Sequence, residues 1–306
     1  MVQDSLLKKF KSYLTRQDLS ERTIRGYLND LHYFQEWTTS LYDQPLSFLQ
    51  ASFSDLSAFR QSLLTTKRQK PAAVNRRIQA LKRFFNWASD KDLISENPAA
   101  KLRFIRRQAP KKPQSLTKTE VHQLLRVAGQ SRKSLAKRNY ALFQLILQAG
   151  LRIGEVARLQ MQDIQLSPRS GLIRIVDGKG HKSREVPLNA TVRRALHAYF
   201  KRRKSISPKQ PAFLTQQGTA MSLRSLQMVI YEIAKRTNIT RIFVSAHTLR
   251  HTFATNYLKA NPNQLVELAA LLGHESLNTT AIYTKASMDQ LAQSVERSEI
   301  NIYDSE

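Results

Sequence analysis

Between residues 104 and 116 the apolar periodicity of this chain stops, and this break constrains the fold more than any other sequence feature. The segment contains two prolines, carries only basic charges and shows no helix or strand repeat. Such composition is typical of an extended linker, and one core rarely serves 306 residues. We therefore predict a first domain over residues 1–103, a linker over 104–116 and a second domain over 117–306, with a tail at 286–306.

The first domain is predicted to be helical. Apolar residues recur at i, i+3, i+4 and i+7 along residues 24–34, and Ser20 is a candidate N-cap just upstream. A second apolar stripe of helical spacing runs along residues 74–88. Both stretches therefore predict amphipathic helices that bury one face each.

Positive charge is spread over both predicted domains. The chain has 49 Lys and Arg against 23 Asp and Glu, a net charge of +26. Because phosphates that bind Lys and Arg release counterions, this surplus favours a nucleic-acid partner held by both domains. A soluble basic protein with ordinary solvated faces remains the alternative. Candidate DNA contacts are Arg76, Gln79 and Arg83 on the second helix, Lys111 and Lys112 in the linker, and Lys182 and Arg184 further on.

The second domain is predicted to be mostly helical with one β element. Residues 141–147 are nearly all apolar and predict a buried helix that ends at Gly150. Two β-prone runs, 172–176 and 184–188, flank a Gly-rich turn and predict a hairpin with Lys179 at or near its tip.

Two helix ends of the second domain are also visible. Thr117 and Glu120 have the spacing of a capping box, which predicts that a helix begins there. The apolar residues 265–272 predict a helix that ends at Gly273, a natural left-handed cap.

Several classes are disfavoured by composition. The chain has no cysteine, so disulfides and Cys-based zinc sites are excluded. Its start, MVQDSLLKKFKSYL, lacks the apolar core of a signal peptide, and no stretch reaches 18 apolar residues. We therefore expect a cytoplasmic protein without a membrane partner.

Four short segments hold the residues with chemical potential. They are Arg152 in AGLRIGEVARL, Lys179 in DGKGHKSREVPL, His247 and Arg250 in SAHTLRHTFAT, and His274 and Tyr283 in LGHESLNTTAIYT. Their order and flanks resemble those of the tyrosine recombinases, and the Xer-type and integrase members most of all. Ala246 departs from this pattern, because Xer-type proteins often carry proline before the histidine.

The resemblance implies a fold and an activity. The fold would be mainly α with a small β-sheet or hairpin, a helical SAM-like core-binding domain and a mixed α/β catalytic domain that form a C-shaped clamp on DNA. The activity would be site-specific recombination of double-stranded DNA for integration, excision or dimer resolution. Four protomers would assemble on two duplexes, with no cofactor and no metal, while accessory proteins stay unknown.

The resemblance also implies the roles of the cationic residues. Arg152 and Arg250 would hold the non-bridging oxygens of a phosphate, which suits a guanidinium that never loses its charge. Lys179 would be the general acid that protonates the departing 5′ oxygen. Glu155, three residues after Arg152, is spaced to support that arginine.

Tyr283 would be the nucleophile. Because its ordinary pKa is about 10, it needs a base or a strongly cationic pocket at neutral pH. His247 is the expected base, and His274 is expected to donate to the phosphate. On a helix His247 and Arg250 would share one side, since they are three residues apart.

Three other classes stay open. A non-catalytic sequence-specific DNA-binding protein would explain the charge and the helices, but not the ordered motif set. A type IB topoisomerase-like enzyme would use the same chemistry as a monomer. A metal-dependent nuclease or transposase would need clustered carboxylates, whereas Glu155, Asp163, Asp177 and Glu185 are scattered.

Overall fold

The computed structural model divides into two compact units, Met1–Pro110 and Lys111–Glu306. The residues that the structure describes are 2–17, 19–44, 46–106, 114–130, 133–176, 183–201, 203, 207–273 and 280.

All the secondary-structure elements that the structure describes in the first unit are helices. Its elements are α1 (Val2–Arg16), α2 (Glu21–Tyr42), a 3₁₀ turn (Phe48–Gln50), α3 (Phe53–Thr65) and α4 (Pro71–Asp90). Both predicted amphipathic helices are confirmed. Ile24, Leu31 and Phe34 are buried on α2, and the apolar stripe of α4 is buried along its length. Ser20 caps α2, since its side chain accepts a hydrogen bond from the backbone N–H of Thr23.

Aromatic rings fill the centre of this unit. The ring of Phe84 lies 5.2 Å from that of Phe10 and 4.8 Å from that of Phe48. A second group joins Phe34 to Phe59 at 5.1 Å in an edge-to-face arrangement. Such pairs add about 0.5–1.5 kcal/mol each beyond the burial of their area. This core fixes α4, whose other face carries the predicted DNA contacts.

The second unit is mixed. Its helices are α5 (Lys118–Gly129), α6 (Lys133–Ala149), α7 (Ile153–Arg158), α8 (Ala190–Phe200), α9 (Leu223–Lys235), α10 (Ala246–Ala260) and α11 (Leu265–Leu272), and its strands are β1 (Ile164–Leu166), β2 (Gly171–Val176) and β3 (Ser183–Pro187). The prediction of a mainly helical chain with a small β-sheet is confirmed.

The predicted hairpin is present as the antiparallel pair β2–β3. Leu172 lies opposite Pro187, and Val176 lies opposite Ser183. The strands thus begin one residue earlier than the sequence indicated. Strand β1 pairs with the edge of β2 that β3 does not occupy. It was not predicted, because three residues are too few to show the alternation of apolar and polar side chains that marks a strand.

The buried helix α6 organises the second unit. All residues of 141–147 are buried, and α6 packs against α5, α8 and α10. The predicted end is confirmed at Gly150, which has φ +66° and leaves no room for a Cβ beside the ring of Phe253. The sharp turn brings the chain directly to Arg152 at the start of α7.

The other predicted caps are confirmed as well. Thr117 and Glu120 form a capping box at the start of α5, and Gly273 ends α11 with φ +62°. Across the described part of the chain, no helix is both long and apolar enough to cross a membrane.

Candidate active site

Arg152 occupies the N-cap position of α7, immediately after the turn at Gly150. Its guanidinium donates from Nη1 to Glu155 Oε1 at 3.0 Å and from Nη2 to the carbonyl of Gly273 at 2.8 Å. The side chain remains 41% exposed. A guanidinium held on one side and open on the other is suited to bind an anion from solvent.

Glu155 supports Arg152, as the spacing of three residues suggested. Besides the side-chain bond, the backbone N–H of Arg152 donates to Glu155 Oε2 at 2.7 Å. The carboxylate is 3% exposed. Burial raises the pKa of Glu155, but hydrogen bonds and charge from Arg184 and Arg152 outweigh it and hold the pKa below its ordinary value. Glu155 is therefore an ionised, buried anchor.

Arg250 reaches the same place from α10. Its side chain is 6% exposed and lies 4.0 Å from Glu155 Oε2. Nη1 donates to the carbonyl of Gly150 at 2.7 Å, and Nη2 donates to the carbonyl of Leu272 at 2.7 Å. Because Arg152 contacts the next carbonyl, that of Gly273, the two guanidiniums meet at the end of α11.

His247 lies on the first turn of α10, one turn before Arg250, and is exposed. Its ring stacks on that of the buried His251 at 5.8 Å, with an angle of 24° between the planes. Ser245 caps this helix by accepting from the backbone N–H of Thr248 at 3.2 Å. The helix start is thus well formed although Ala246 replaces the proline of the related pattern.

Arg184, which the sequence predicts as a phosphate contact, has its side chain bound within the protein. Its side chain is 14% exposed. Nη1 and Nη2 donate to the two oxygens of Glu155 at 2.9 and 2.8 Å, and Nε donates to the carbonyl of Leu271 at 2.9 Å. Three of its N–H groups therefore donate within the protein, and in this structure Arg184 supports the site from inside.

Other predicted residues lie outside the described residues. They are the catalytic candidates Lys179, His274 and Tyr283, and the DNA-contact candidates Lys111, Lys112 and Lys182. Most of the predicted linker and the tail at 286–306 lie outside them too.

On α4 the structure leaves the predicted DNA-facing side chains at the surface. Arg76 and Gln79 are exposed, and Arg83 is half-buried with its guanidinium 6.0 Å from the ring of Tyr27. Sequence reasoning missed the partner of Arg76, which is Asp30 on α2. Arg76 Nη1 lies 2.5 Å from Asp30 Oδ2, and the Asp30 side chain is 2% exposed.

The described residues contain no group of three or more His, Cys, Asp or Glu side chains that could hold a metal ion. Chemically, the described part of the site offers two guanidiniums that meet at one helix end, and an imidazole on the same helix as one of them. The guanidiniums can neutralise a phosphate, and an imidazole can exchange a proton.

Family models match both units. The model described as the phage integrase family matches residues 114–290, and the model of the phage integrase N-terminal SAM-like domain matches residues 7–92.

Curated relatives match almost the whole chain. The chain is 30% identical to the tyrosine recombinase XerC of Anoxybacillus flavithermus, with 93% of this chain and 94% of the relative covered. It is 32% identical to the tyrosine recombinase XerC of Myxococcus xanthus, with 94% and 95% covered.

Solved structures agree in fold. The XerH site-specific recombinase bound to its difH substrate, in a pre-cleavage complex, is 25% identical with a TM-score of 0.71, covering 90% of this chain and 79% of that one. A lambda integrase dimer bound to a COC′ core site is 17% identical with a TM-score of 0.70, covering 92% and 77%.

Proposed function

Because this chain belongs to the phage integrase family and is a tyrosine recombinase, we propose that it cuts and rejoins double-stranded DNA at a specific site through a 3′-phosphotyrosyl bond to Tyr283. One observation carries the proposal for this chain's own residues: Arg152 and Arg250, 98 positions apart in sequence, share Glu155 and adjacent carbonyls at the end of α11.

The first step is an in-line transesterification. The phenol oxygen of Tyr283 attacks the phosphorus, and the bond from phosphorus to the 5′ oxygen breaks. His247 takes the phenol proton, and Lys179 gives a proton to the 5′ oxygen, which leaves as a hydroxyl. The second step reverses the first with a 5′ hydroxyl from the partner duplex, so the number of phosphodiester bonds is unchanged.

Charge stabilisation falls to the arginines. Arg152 and Arg250 bind the non-bridging oxygens of the scissile phosphate, whose charge increases as the phenol attacks, and His274 donates a further hydrogen bond. Preorganised donors of this kind contribute about 10²–10³ each in rate. The half-exposed guanidinium of Arg152 supports this role, since it faces solvent beside the buried Glu155.

DNA binding is proposed to involve both units. Arg76, Gln79 and Arg83 on α4 would lie in or beside a groove, and Lys111, Lys112 and Lys182 would contact the backbone. The net charge of +26 supports a polyanionic partner, and we propose that the protein meets it in the cytoplasm.

The chemistry requires no cofactor in this proposal. Energy from the broken phosphoester bond is kept in the phosphotyrosyl bond, so neither ATP nor a metal ion is needed. We expect covalent cleavage to continue undiminished in excess EDTA. Loss of cleavage on chelation, restored by Mg²⁺, would instead support a metal-dependent nuclease.

Recombination joins two duplexes, so we propose a tetramer with one protomer for each strand cut. The tail at 286–306 holds five acidic residues and one arginine, and it would dock onto the basic surface of a neighbour. A chain that ends at Lys285 should bind a single site normally but form fewer two-duplex complexes in native gels. Recombination at the full rate by this truncated chain would exclude the tail from assembly.

The central experiment uses a nicked suicide substrate that carries the true recombination site, from which the released strand diffuses away. The wild-type chain should form a covalent protein–DNA adduct that denaturing gels resolve. Tyr283→Phe should bind the DNA equally well and form none. An adduct that survives this substitution would move the nucleophile elsewhere, and relaxation of any supercoiled plasmid without a site would favour topoisomerase-like activity.

A further inference from the structure

A buried carboxylate with several arginines around it raises a question of charge. Glu155 is 3% exposed and ionised, and an unshared carboxylate at this place would neutralise Arg152 instead of merely orienting it. The second oxygen of Glu155 lies 4.0 Å from Arg250, so both catalytic arginines are in its range. Something must therefore offset the charge of Glu155 if the arginines are to retain their attraction for a phosphate.

Arg184 is the residue placed to do this. It donates to both oxygens of Glu155, at 2.9 and 2.8 Å, in the bidentate geometry that gives the strongest ion pairs. Arg152 shares these oxygens, with its backbone N–H on one and its Nη1 on the other. Arg184 itself is 14% exposed, whereas Arg152 is 41% exposed. The inner arginine thus holds the carboxylate, and the outer one faces solvent.

Arg184, Arg250 and Arg152 also bind the last two carbonyls of α11 and the carbonyl of its C-cap residue, Gly273. Arg184 donates to Leu271, Arg250 to Leu272 and Arg152 to Gly273, at 2.9, 2.7 and 2.8 Å. Carbonyls at a helix C-terminus lack donors within the helix and carry partial negative charge, so cations are favoured there. Arg184 therefore joins three elements, because it lies on β3 and binds both α7 and the end of α11.

Space around Arg184 is tight. A Cβ added at Gly273 would lie 2.8 Å from Nη1 of Arg184 and 3.0 Å from its Cζ. Two features therefore require glycine at position 273. They are the left-handed backbone and the close approach of the Arg184 guanidinium. The planar guanidinium of an arginine can bind two carboxylate oxygens and a carbonyl at once. The ammonium group of a lysine is a compact charge and cannot reproduce this geometry.

We propose that Arg184 is a positioning residue for strand cleavage: it is the counter-ion of Glu155, and it leaves the charge of Arg152 available to the scissile phosphate while Glu155 fixes its direction. The inference rests on the proposed function, in which Arg152 binds that phosphate. Arg184 acts through Glu155 and Arg152 and does not itself touch DNA.

The test compares Arg184→Lys with the matched control Arg174→Lys. Arg174 lies on β2, next to the strand that carries Arg184. It forms an ion pair with Glu185 in which both side chains are exposed. Both variants are assayed in single turnover on the suicide substrate, where the burst amplitude reports the folded, competent fraction and the rate constant reports chemistry. We expect Arg184→Lys to slow cleavage by about 10² at near-normal amplitude and DNA affinity, the loss expected when a reacting group is misplaced by about 1 Å. Arg174→Lys should cleave at the wild-type rate.

A chemically altered substrate separates positioning from general damage. A methylphosphonate at the scissile position lacks the negative charge of one non-bridging oxygen, so it depends less on Arg152. The defect of Arg184→Lys should shrink at least tenfold on this substrate, as should that of Arg152→Lys. The double variant should be little slower than Arg152→Lys alone, since residues that act through one another do not add.

The outcomes are distinct. If the wild-type chain forms no adduct on its site, the proposed function fails. If it does, but Arg184→Lys cleaves normally or is equally slow on both substrates, the inference fails and the function stands. A 5′-bridging sulfur leaves without a proton and so bypasses the general acid. If this substrate rescues Arg184→Lys and the methylphosphonate does not, the inference also fails, because Arg184 would then act through the general acid.

Discussion

The two units of this protein each bury a carboxylate beside arginines, and the two carboxylates behave oppositely. Asp30 in the helical unit is 2% exposed and pairs with Arg76 at 2.5 Å, while Arg77 lies 3.9 Å away. Burial raises the pKa of Asp30, and the charges of Arg76 and Arg77 do not overcome it. In the second unit, Arg184 and Arg152 hold the pKa of Glu155 below its ordinary value, although this side chain is also nearly fully buried at 3% exposed.

The difference lies in how the carboxylates are bound. Glu155 accepts from two guanidiniums and a backbone N–H at 2.7–3.0 Å, whereas Asp30 has one close guanidinium that is itself 53% exposed. Several short hydrogen bonds to the charged form outweigh desolvation, and one solvated partner does not. The pKa of a buried carboxyl group is therefore lowered only where several donors bind the ionised form.

The largest expected effect comes from removing the charge of Glu155. Glu155→Gln leaves Arg184 and Arg250 without their counter-ion in a buried place, which costs about 3–5 kcal/mol when one partner of a buried pair is lost. Cleavage should fall by more than about 10², because Arg152 loses its orientation. Urea unfolding and single-turnover cleavage measure the two effects.

Asp30→Asn is the matched control for this prediction. It should cost less than about 1 kcal/mol at neutral pH, since Arg76 can turn to solvent and the loss of a modest hydrogen bond is offset by removal of a buried charge. Cleavage of bound substrate should not change. Equal losses of stability in the two variants would show that burial alone, and not the number of partners, sets the strength of these anchors.

Gly273→Ala should have the next largest effect. The left-handed backbone at φ +62° costs a residue with a side chain about 1–2 kcal/mol, and the new methyl group would overlap Arg184. Gly218 provides the control, since it has φ +81° but nothing within 4 Å of its Cβ position. Gly218→Ala should lose only the backbone contribution of about 1–2 kcal/mol and keep its cleavage rate, whereas Gly273→Ala should lose more stability and also slow cleavage. Matching cleavage rates for the two variants would mean that contact with Arg184 is unimportant.

Much of this arrangement was predictable from local sequence patterns. The stripes on α2 and α4, the caps at Ser20 and Gly273 and the β2–β3 pair follow from spacing within a dozen residues or so. The support of Arg152 by Glu155 was predictable for the same reason, as the two are three residues apart on one helix start.

The tertiary partners were not predictable in this way. Arg184 lies 29 positions from Glu155 and 87 from Leu271, and nothing in its own strand marks it as an inward-facing residue. Its neighbours Lys182 and Glu185 made it resemble a surface charge. Arg76 and Asp30 present the same difficulty across two helices. Pairs of opposite charge become visible only when the packing of the elements is known.

Opposite pH dependence provides a third, smaller effect. The folded-state pKa of Glu155 is lowered, so its contribution to stability is present above its ordinary value of 4.5 and is lost as pH falls through the folded value. The folded-state pKa of Asp30 is raised, so ionisation penalises the folded state as pH rises above 3.8.

Stability measured against pH therefore distinguishes the two. From about pH 3 to pH 7, the stability of wild type relative to Glu155→Gln should increase, and that relative to Asp30→Asn should decrease. Urea unfolding at a series of pH values gives both differences. Parallel slopes would contradict the opposite assignment of the two carboxylates.

The smallest expected effect concerns DNA affinity. Asp30 partly neutralises Arg76, so Asp30→Asn should tighten binding by less than about fivefold, the range of a half-exposed ion pair.

Arg76→Gln should weaken binding and lower the slope of log K against log salt by about one, if Arg76 contacts a phosphate. Binding titrations at several salt concentrations, on the specific site and on unrelated DNA, separate two cases. Equal loss on both sequences means a phosphate contact, and loss on the specific site alone means that Arg76 reads a base. An unchanged salt slope with unchanged affinity would remove Arg76 from the DNA interface and leave the Asp30 pair a purely structural feature of the helical unit.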